Sequence, residues 1–265
     1  SDGISRIVIN PIQENRAMIV LKNVSHTFSK GSPVETRALK QVNLEINRGE
    51  FVALIGANGS GKSTLLNVIA GSILPDSGNI NIDGEDVSRL PDYRRSHLIA
   101  RVFQDPLAGT ASELSVLDNF RLASIRAGSK KLLQGTTAAF IQKVKDRISV
   151  LGLGLENKIL QPAGSLSGGQ RQALTLLMAV MDKASVLLMD EPSAALDPRT
   201  AGTIMELAAR ISREHELTTV FVTHSLREVE KYSSKVVLMQ EGVVHKIWQQ
   251  QEHDFVTAEE LLKYF

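Results

Sequence analysis

Phe51-Val52-Ala53-Leu54-Ile55-Gly56-Ala57-Asn58-Gly59-Ser60-Gly61-Lys62-Ser63-Thr64 is the stretch that decides the fold. Five apolar residues run into a glycine-rich turn, and the turn runs into a helical stretch, 62–70, closed by Gly71. A short apolar run without polar interruption reads as a strand buried on both faces, the habit of parallel sheets. Residues 56–63 match G-x-x-x-x-G-K-[ST] between a strand and a helix, which is the context the motif requires. Its glycines let backbone N–H groups wrap a chain of phosphates, the helix start adds the positive end of a dipole, and Lys62 can neutralise terminal phosphate oxygens. Ser63 offers its hydroxyl to magnesium. The plainer alternative, a glycine turn that only caps a helix, is disfavoured by the spacing and the flanks.

Working outward, three more apolar runs end on polar residues: 99–103 before Gln104, 186–189 before Asp190, and 220–222 before Thr223 and His224. They read as further buried parallel strands. Ligands in open parallel sheets sit at the carboxyl ends of strands, so the four endings are expected to converge on one crevice. Helical stretches at 168–181, 198–214 and 226–231 alternate with these runs, which makes the class α/β. Earlier, 19–21, 42–46 and 80–82 alternate apolar and polar residues and predict a small antiparallel sheet with one wet face, with turns at 76–78 and 83–84. Between Pro106 and Ser165 strand signals give way to helical patterns at 115–127 and 137–151, a helical insertion that returns to the sheet through 152–154 and 161–164.

Composition narrows the partners. The 265 residues are 43% hydrophobic and 22% charged, an ordinary globular balance. Thirty Lys and Arg against 29 Asp and Glu leave a formal charge of +1, so no global field recruits nucleic acid. The basic residues Lys130, Lys131, Lys143, Lys145 and Arg147 lack interleaved aromatics and read as a solvated helix face. Without cysteine there are no disulfides, thiolate metal sites or Cys nucleophile. Every apolar run falls far short of the roughly 18 to 20 residues that span a bilayer. Residues 1–17 read as a tail, partly an artificial addition because Ser1-Asp2-Gly3 lacks an initiator Met, and 257–262 as a short docked helix with a capping box.

Asp190 closes an apolar strand and Glu191 follows it, so one carboxylate can hold magnesium while its neighbour orients or deprotonates a water. Leu166-Ser167-Gly168-Gly169-Gln170 opens a helix with Ser167 as N-cap and two glycines that leave donors uncovered, a second place for an anion. Gln104 and His224, taken singly, are ordinary strand-end residues; their company makes them candidates. The other histidines read as surface or packing residues.

In this order, 56–64, Gln104, 166–170, Asp190-Glu191, Ala195-Leu196-Asp197 and His224 resemble the nucleotide-binding subunit of ATP-binding cassette (ABC) transporters, bacterial importers in particular. The resemblance runs over about 18–244, and the signature pentapeptide is intact at 166–170. It implies a P-loop NTPase core with a mainly parallel sheet, an N-terminal antiparallel β-subdomain and a helical, signature-bearing subdomain. The ATPase domain would be 18–247, with the helical part inserted at about 106–165 and a helical extension at 248–265. ATP would be held by Gly56, Asn58, Gly59, Ser60, Gly61, Lys62, Ser63 and Thr64, and Mg2+ by Ser63, Gln104 and Asp190. Glu191 would drive hydrolysis, with Gln104 on the attacking water and His224 on the γ-phosphate.

The same resemblance implies a head-to-tail dimer with a second copy or a homologous subunit. Ser167, Gly168, Gly169 and Gln170 would serve the partner's ATP, and Asp197 would communicate across the interface. Phe28 stands where the family places an aromatic that stacks on adenine; a core phenylalanine at the end of an early strand fits it equally well. Ala194 replaces a serine common in the family. Separate transmembrane permease subunits would hold the chain at the cytoplasmic face of the inner membrane. The expected work is solute import, with the wording of 171–179 and 194–201 pointing to amino-acid-type substrates. Export, lipoprotein release or a cell-division complex is the alternative, and a non-transport ATPase lies further off.

Overall fold

Residues 17–127, 137–181, 184–250 and 257–264 are described by a computed structural model. The chain opens with β1 (Ala17–Phe28), β2 (Thr36–Asn47) and β3 (Phe51–Ile55), then α1 (Lys62–Ala70), β4 (Ser77–Ile82), β5 (Glu85–Asp86), α2 (Asp92–Arg95) and β6 (Ile99–Val102). A helical stretch follows, α3 (Val116–Ala127), α4 (Ala138–Ser149) and α5 (Gly168–Ala179), before β7 (Val186–Asp190), α6 (Pro198–Glu214), β8 (Thr218–Val222) and α7 (Leu226–Tyr232). It closes with β9 (Lys235–Gln240), β10 (Val243–Gln249) and α8 (Ala258–Leu261).

The early strands form an antiparallel sheet in the order β2-β1-β4-β5. Ile19 pairs with Ile46 on one side and Ile82 on the other, and Leu21 with Leu44 and Ile80. All six are buried, while the alternate residues Val20, Glu45 and Asn81 face the other way and are not. That is the expected sheet with one wet face.

The larger sheet runs β10-β9-β3-β8-β7-β6, parallel from β9 to β6 with β10 antiparallel at its edge. Its central strands β3, β7 and β8 are mostly buried along their length because each face has its own core. Val52, Leu54, Val186, Leu188, Val220 and Val222 pack with α1 and the antiparallel sheet. Phe51, Ala53, Ile55, Leu187, Met189 and Phe221 pack on the opposite side with α3 to α6. Strands β3, β8, β7 and β6 lie side by side in one direction, so the four polar endings do share one edge.

Caps set most helix limits. Thr137 accepts from the Phe140 N–H at 3.2 Å to start α4, and Ser115 accepts from the Asp118 N–H at 3.0 Å to start α3. The C-terminus of α1 is held by Arg95, fully buried, which donates to the carbonyls of Leu90, Val68 and Ile69, each at 2.7 Å. Burial lowers its guanidinium pKa to about 10.

Several details differ from expectation. Strand β6 stops at Val102 and leaves Phe103 half-exposed under the Arg101 guanidinium, 4.8 Å from its ring. Helix α5 ends at Ala179, short of Met181. The β9–β10 hairpin, turning at Glu241 and Gly242 with φ of 48° and 83°, has no counterpart in the sequence reading. The predicted docked helix is α8, with Leu261 fully buried. Thr257 caps it, accepting from the Glu260 N–H at 3.2 Å, while the Glu260 carboxylate accepts from the Trp248 indole at 2.9 Å. Of the basic face, Lys143 is exposed and Arg147 donates to the Val180 carbonyl at 3.1 Å; Lys130 and Lys131 lie outside the described residues, as do residues 1–16 of the tail. No helix among the described residues is long and apolar enough to cross a membrane.

Candidate nucleotide site

The turn from β3 to α1 is built around backbone that only glycine tolerates. At Gly56, with φ of 140°, an added Cβ would lie 2.1 Å from the Met239 carbonyl oxygen, and at Gly61, with φ of 101°, 2.6 Å from that of Ala38. Strand β9 and strand β2 therefore press the loop from two sides. Ala57, Asn58 and Gly59 stay exposed at its crest, Ser60 is buried and Thr64 half-buried. Lys62 folds back beneath the crest, its Nζ donating to the carbonyls of Gly56 at 2.8 Å and Ala57 at 2.9 Å. Burial pulls this ammonium below the usual lysine range, and the carboxylates of Glu191 and Asp190 partly oppose the shift.

From α1 the site crosses to the end of β7. Ser63 Oγ donates to Asp190 Oδ1 at 3.3 Å. Burial pushes the Asp190 carboxyl up, with the Ser63 hydrogen bond opposing and the neighbouring Glu191 charge reinforcing. Glu191 next to it takes a positive φ of 44°, uncommon for a residue with a side chain and a mark of stored strain. Its carboxylate bridges two loops: Gln104 Nε2 donates to Oε2 at 3.3 Å, and His224 Nε2 lies 3.1 Å from Oε1. The ends of β6, β7 and β8 thus meet at one carboxylate.

The donor set beside the loop suits magnesium, with a hydroxyl at Ser63, a carboxylate at Asp190 and an amide oxygen available from Gln104, all hard oxygens. With an ion bound they would leave positions in its shell for phosphate and water.

The remaining candidates stand apart. Among the described residues, neither Phe28 nor 167–170 hydrogen-bonds the loop or the Glu191 cluster. Phe28 is 39% exposed at the end of β1, edge-on to the His26 ring at 4.6 Å, so the core-phenylalanine alternative is excluded. Ser167 and Gln170 form a capping box: Ser167 Oγ accepts from the Gln170 N–H at 3.3 Å, and Gln170 Oε1 accepts from the Ser167 N–H at 3.1 Å. Ser167 and Gly168 are exposed. At Gly169 an added Cβ would lie 2.2 Å from Thr200 Cγ2, so close packing against α6 also requires a glycine there. Asp197 caps α6, accepting from the N–H groups of Arg199 and Thr200, both at 3.1 Å. Hydrogen bonds from Thr200 hold it below the usual carboxylate range.

Sequence reasoning missed the groups behind the cluster. Glu228 clamps the two loops that carry Glu191 and His224, accepting from Ser193 Oγ at 2.7 Å and Thr223 Oγ1 at 2.6 Å. Arg101 donates to Ser72 Oγ and Asn67 Oδ1, both at 2.8 Å, which ties β6 to α1 and sets a cation near Asp190. Neither follows a motif. A Glu three positions beyond Ser225 on a helix start was the one available signal, and it reads as a cap.

In class this is an ATP-hydrolysing α/β enzyme with a phosphate loop. The sequence profile described as ABC transporter matches residues 39–194. A tyrosine transport ATP-binding protein of Clostridioides difficile (strain R20291) is 36% identical over 251 residues, covering 94% of this chain and 98% of its own. A phosphonates import ATP-binding protein, PhnC, of Bdellovibrio bacteriovorus is 32% identical over 233 residues, 86% of each chain. Among solved structures, the dimeric post-hydrolysis state of the ATP-binding cassette MJ0796 bound to ADP and Pi is similar with a TM-score of 0.76 and 30% identity, covering 88% of this chain and 99% of that one. The chain belongs to the ABC transporter family, as an ATP-binding and ATP-hydrolysing subunit.

Proposed function

We propose that this chain drives a membrane importer by magnesium-dependent hydrolysis of ATP held between two copies, each giving its phosphate loop to one ATP and its 167–170 segment to the other. The observation that carries the chemistry is the Glu191 carboxylate held between Gln104 and His224 at the end of β7, beside Asp190 and Ser63.

In this reading the N–H groups of 56–61 and the start of α1 bind the phosphates, and Lys62 turns from its own carbonyls to the terminal oxygens. Phe28 stacks on adenine, a reading supported by its 39% exposure. Ser63, Asp190 and Gln104 would hold Mg2+, which would neutralise charge on the phosphate oxygens. Glu191 orients the attacking water and takes its proton, and Gln104 fixes the carboxylate from one side. His224, on the other side, reaches the γ-phosphate. What supports the shared site is an exposed capped helix start at Ser167 and Gly168, which no residue of its own chain's loop engages, together with the dimeric cassettes among the structural neighbours. Asp197, at the start of α6 beside Leu196, would carry contact between copies.

Permease subunits of separate chains would hold the protein peripherally at the cytoplasmic face of the plasma membrane, engaging the helical part at about 106–165 of a domain at 18–247. The imported solute would be an amino acid of tyrosine's kind, supported by the name of the Clostridioides difficile relative. Glu191→Gln tests the chemistry: ATP binding is retained and turnover falls at least about 10²-fold, the range for a positioned base. Wild-type turnover removes Glu191 from its role. Uptake of labelled tyrosine by cells with and without the gene tests the substrate, and equal uptake refutes it.

A further inference from the structure

Gln172 sits on α5, one turn past Gly168, and its side chain is fully buried. Its Nε2 donates to the Phe103 carbonyl at 3.0 Å and to the Pro192 carbonyl at 3.2 Å. The first carbonyl precedes Gln104 and the second follows Glu191, and the side chains of those two residues meet at 3.3 Å. One nitrogen therefore fixes both backbone points from which the water-facing pair projects. Three elements are joined at it: the loop after β6, the turn after β7, and the helix that begins beyond Ser167.

The chemistry of the contact selects a primary amide. Two N–H donors diverge from one planar nitrogen toward two acceptors, and no other side chain of this length supplies that fork without charge. Asparagine is a methylene short, a protonated glutamic acid has one donor, and methionine has none. The two carbonyls also settle which end of the amide is nitrogen, because oxygen there would face two acceptors. Gln172 Oε1 is meanwhile buried with no hydrogen-bond partner among the described residues. An unpaired buried acceptor is destabilising, so a residue selected for packing alone would be apolar.

We infer that Gln172 is a positioning residue for hydrolysis, holding Gln104 and Glu191 in register with the start of α5. Movement of the Ser167 helix is then transmitted through a single amide to the pair that handles water. The inference rests on the roles given above to Gln104 and Glu191.

The test is steady-state phosphate release by the full chain with ATP varied. Gln172→Met keeps the length and removes both donors. Its kcat should fall about ten- to a hundredfold, the scale of a 1 Å misplacement, while KM stays within about threefold because residues 56–64 are untouched. Combined with Gln104→Ala, the double variant should be no more than about threefold slower than the slower single one, as for residues acting through one contact. A kcat for Gln172→Met within about twofold of wild type, or losses that multiply in the double variant, overturns the inference.

If circular dichroism shows Gln172→Met unfolded at the assay temperature, Gln172→Glu gives the second reading. A carboxyl buried against two carbonyls has a raised pKa and donates only while protonated. Its kcat relative to wild type should then fall as pH rises, and a ratio flat with pH overturns the inference. Glu191→Gln is run alongside. Wild-type turnover in that variant defeats the reading of the site, whereas a slow Glu191→Gln with unimpaired Gln172→Met defeats only the role of Gln172.

Discussion

Replacing Lys62 by methionine separates what this side chain does for the fold from what it does for the nucleotide. In the protein its ammonium donates to the carbonyls of Gly56 and Ala57 and is buried, so the two hydrogen bonds are set against a desolvation penalty that already lowers its pKa. Charged hydrogen bonds contribute about 1.5–3 kcal/mol each and desolvation removes much of that, so Lys62→Met should change nucleotide-free stability by only about 1 kcal/mol. The nucleotide loses far more. Removing one partner of a buried charge pair costs about 2–5 kcal/mol, which at 1.4 kcal/mol per decade is roughly a 30- to 4,000-fold rise in Kd for ATP.

Thermal melts with and without nucleotide read both quantities. At ATP equal to about 100 times the wild-type Kd, ligand stabilises the wild type by about 2.7 kcal/mol; a 30-fold weaker variant gains only about 0.9 kcal/mol under the same conditions. The ATP-induced rise in Tm should therefore shrink to about a third or less, while the nucleotide-free Tm moves by a few degrees at most. A fluorescence titration giving a Kd within about threefold of wild type would refute the reasoning, because Lys62 would then not reach the phosphates.

Asp190→Asn should raise the Tm of the nucleotide-free protein while abolishing the extra stabilisation that magnesium adds to ATP. Asp190 has its folded pKa raised by burial, so the folded state holds more protons between the unfolded and folded values, and the ionised group is a cost present above that raised pKa and relieved below it. The advantage of the variant should therefore shrink on acidification, and an advantage independent of pH would contradict this. Arg95→Met removes the donor shared by the carbonyls of Leu90, Val68 and Ile69 and should cost about 3 kcal/mol or more, lowering Tm by about 10 °C. A drop below about 3 °C in a thermal melt would mean that the guanidinium is not holding the end of α1.

The parts of the site legible in the sequence are those whose partners are close in the chain. Helix α6 is read with its true limits because Asp197 caps it and Pro198 occupies its first turn, both local signals. The loop at 56–63 is legible because one motif carries strand, turn and helix together. The convergence of Gln104, Asp190, Glu191 and His224 follows from a topological rule about parallel sheets, and the structure makes it concrete at one carboxylate.

What was not legible depends on distant contacts. Gln172 reads as one more residue on an apolar helix until it is seen to reach Phe103, 69 positions upstream, and Pro192, 20 downstream. Gly169 suggests uncovered donors, and only the approach of Thr200 from α6 reveals why a side chain is not tolerated. The β9–β10 hairpin was open to reading: Glu241-Gly242 stands between two runs, and the second alternates exposed and half-buried residues along its length. Arg95 could not have been placed in the core from its neighbours, since α2 is a single turn whose environment is supplied by α1.

The central claim is that each ATP is held between the phosphate loop of one copy and the Ser167 segment of another. Its most direct test is the mass of Glu191→Gln protein by light scattering on a sizing column, with ATP present, alone and combined with Ser167→Arg. Glu191→Gln should run as a dimer that reverts to monomer without ATP, and adding Ser167→Arg should leave a monomer that still binds nucleotide. A normal ATP-dependent dimer of the doubly substituted protein would contradict the account.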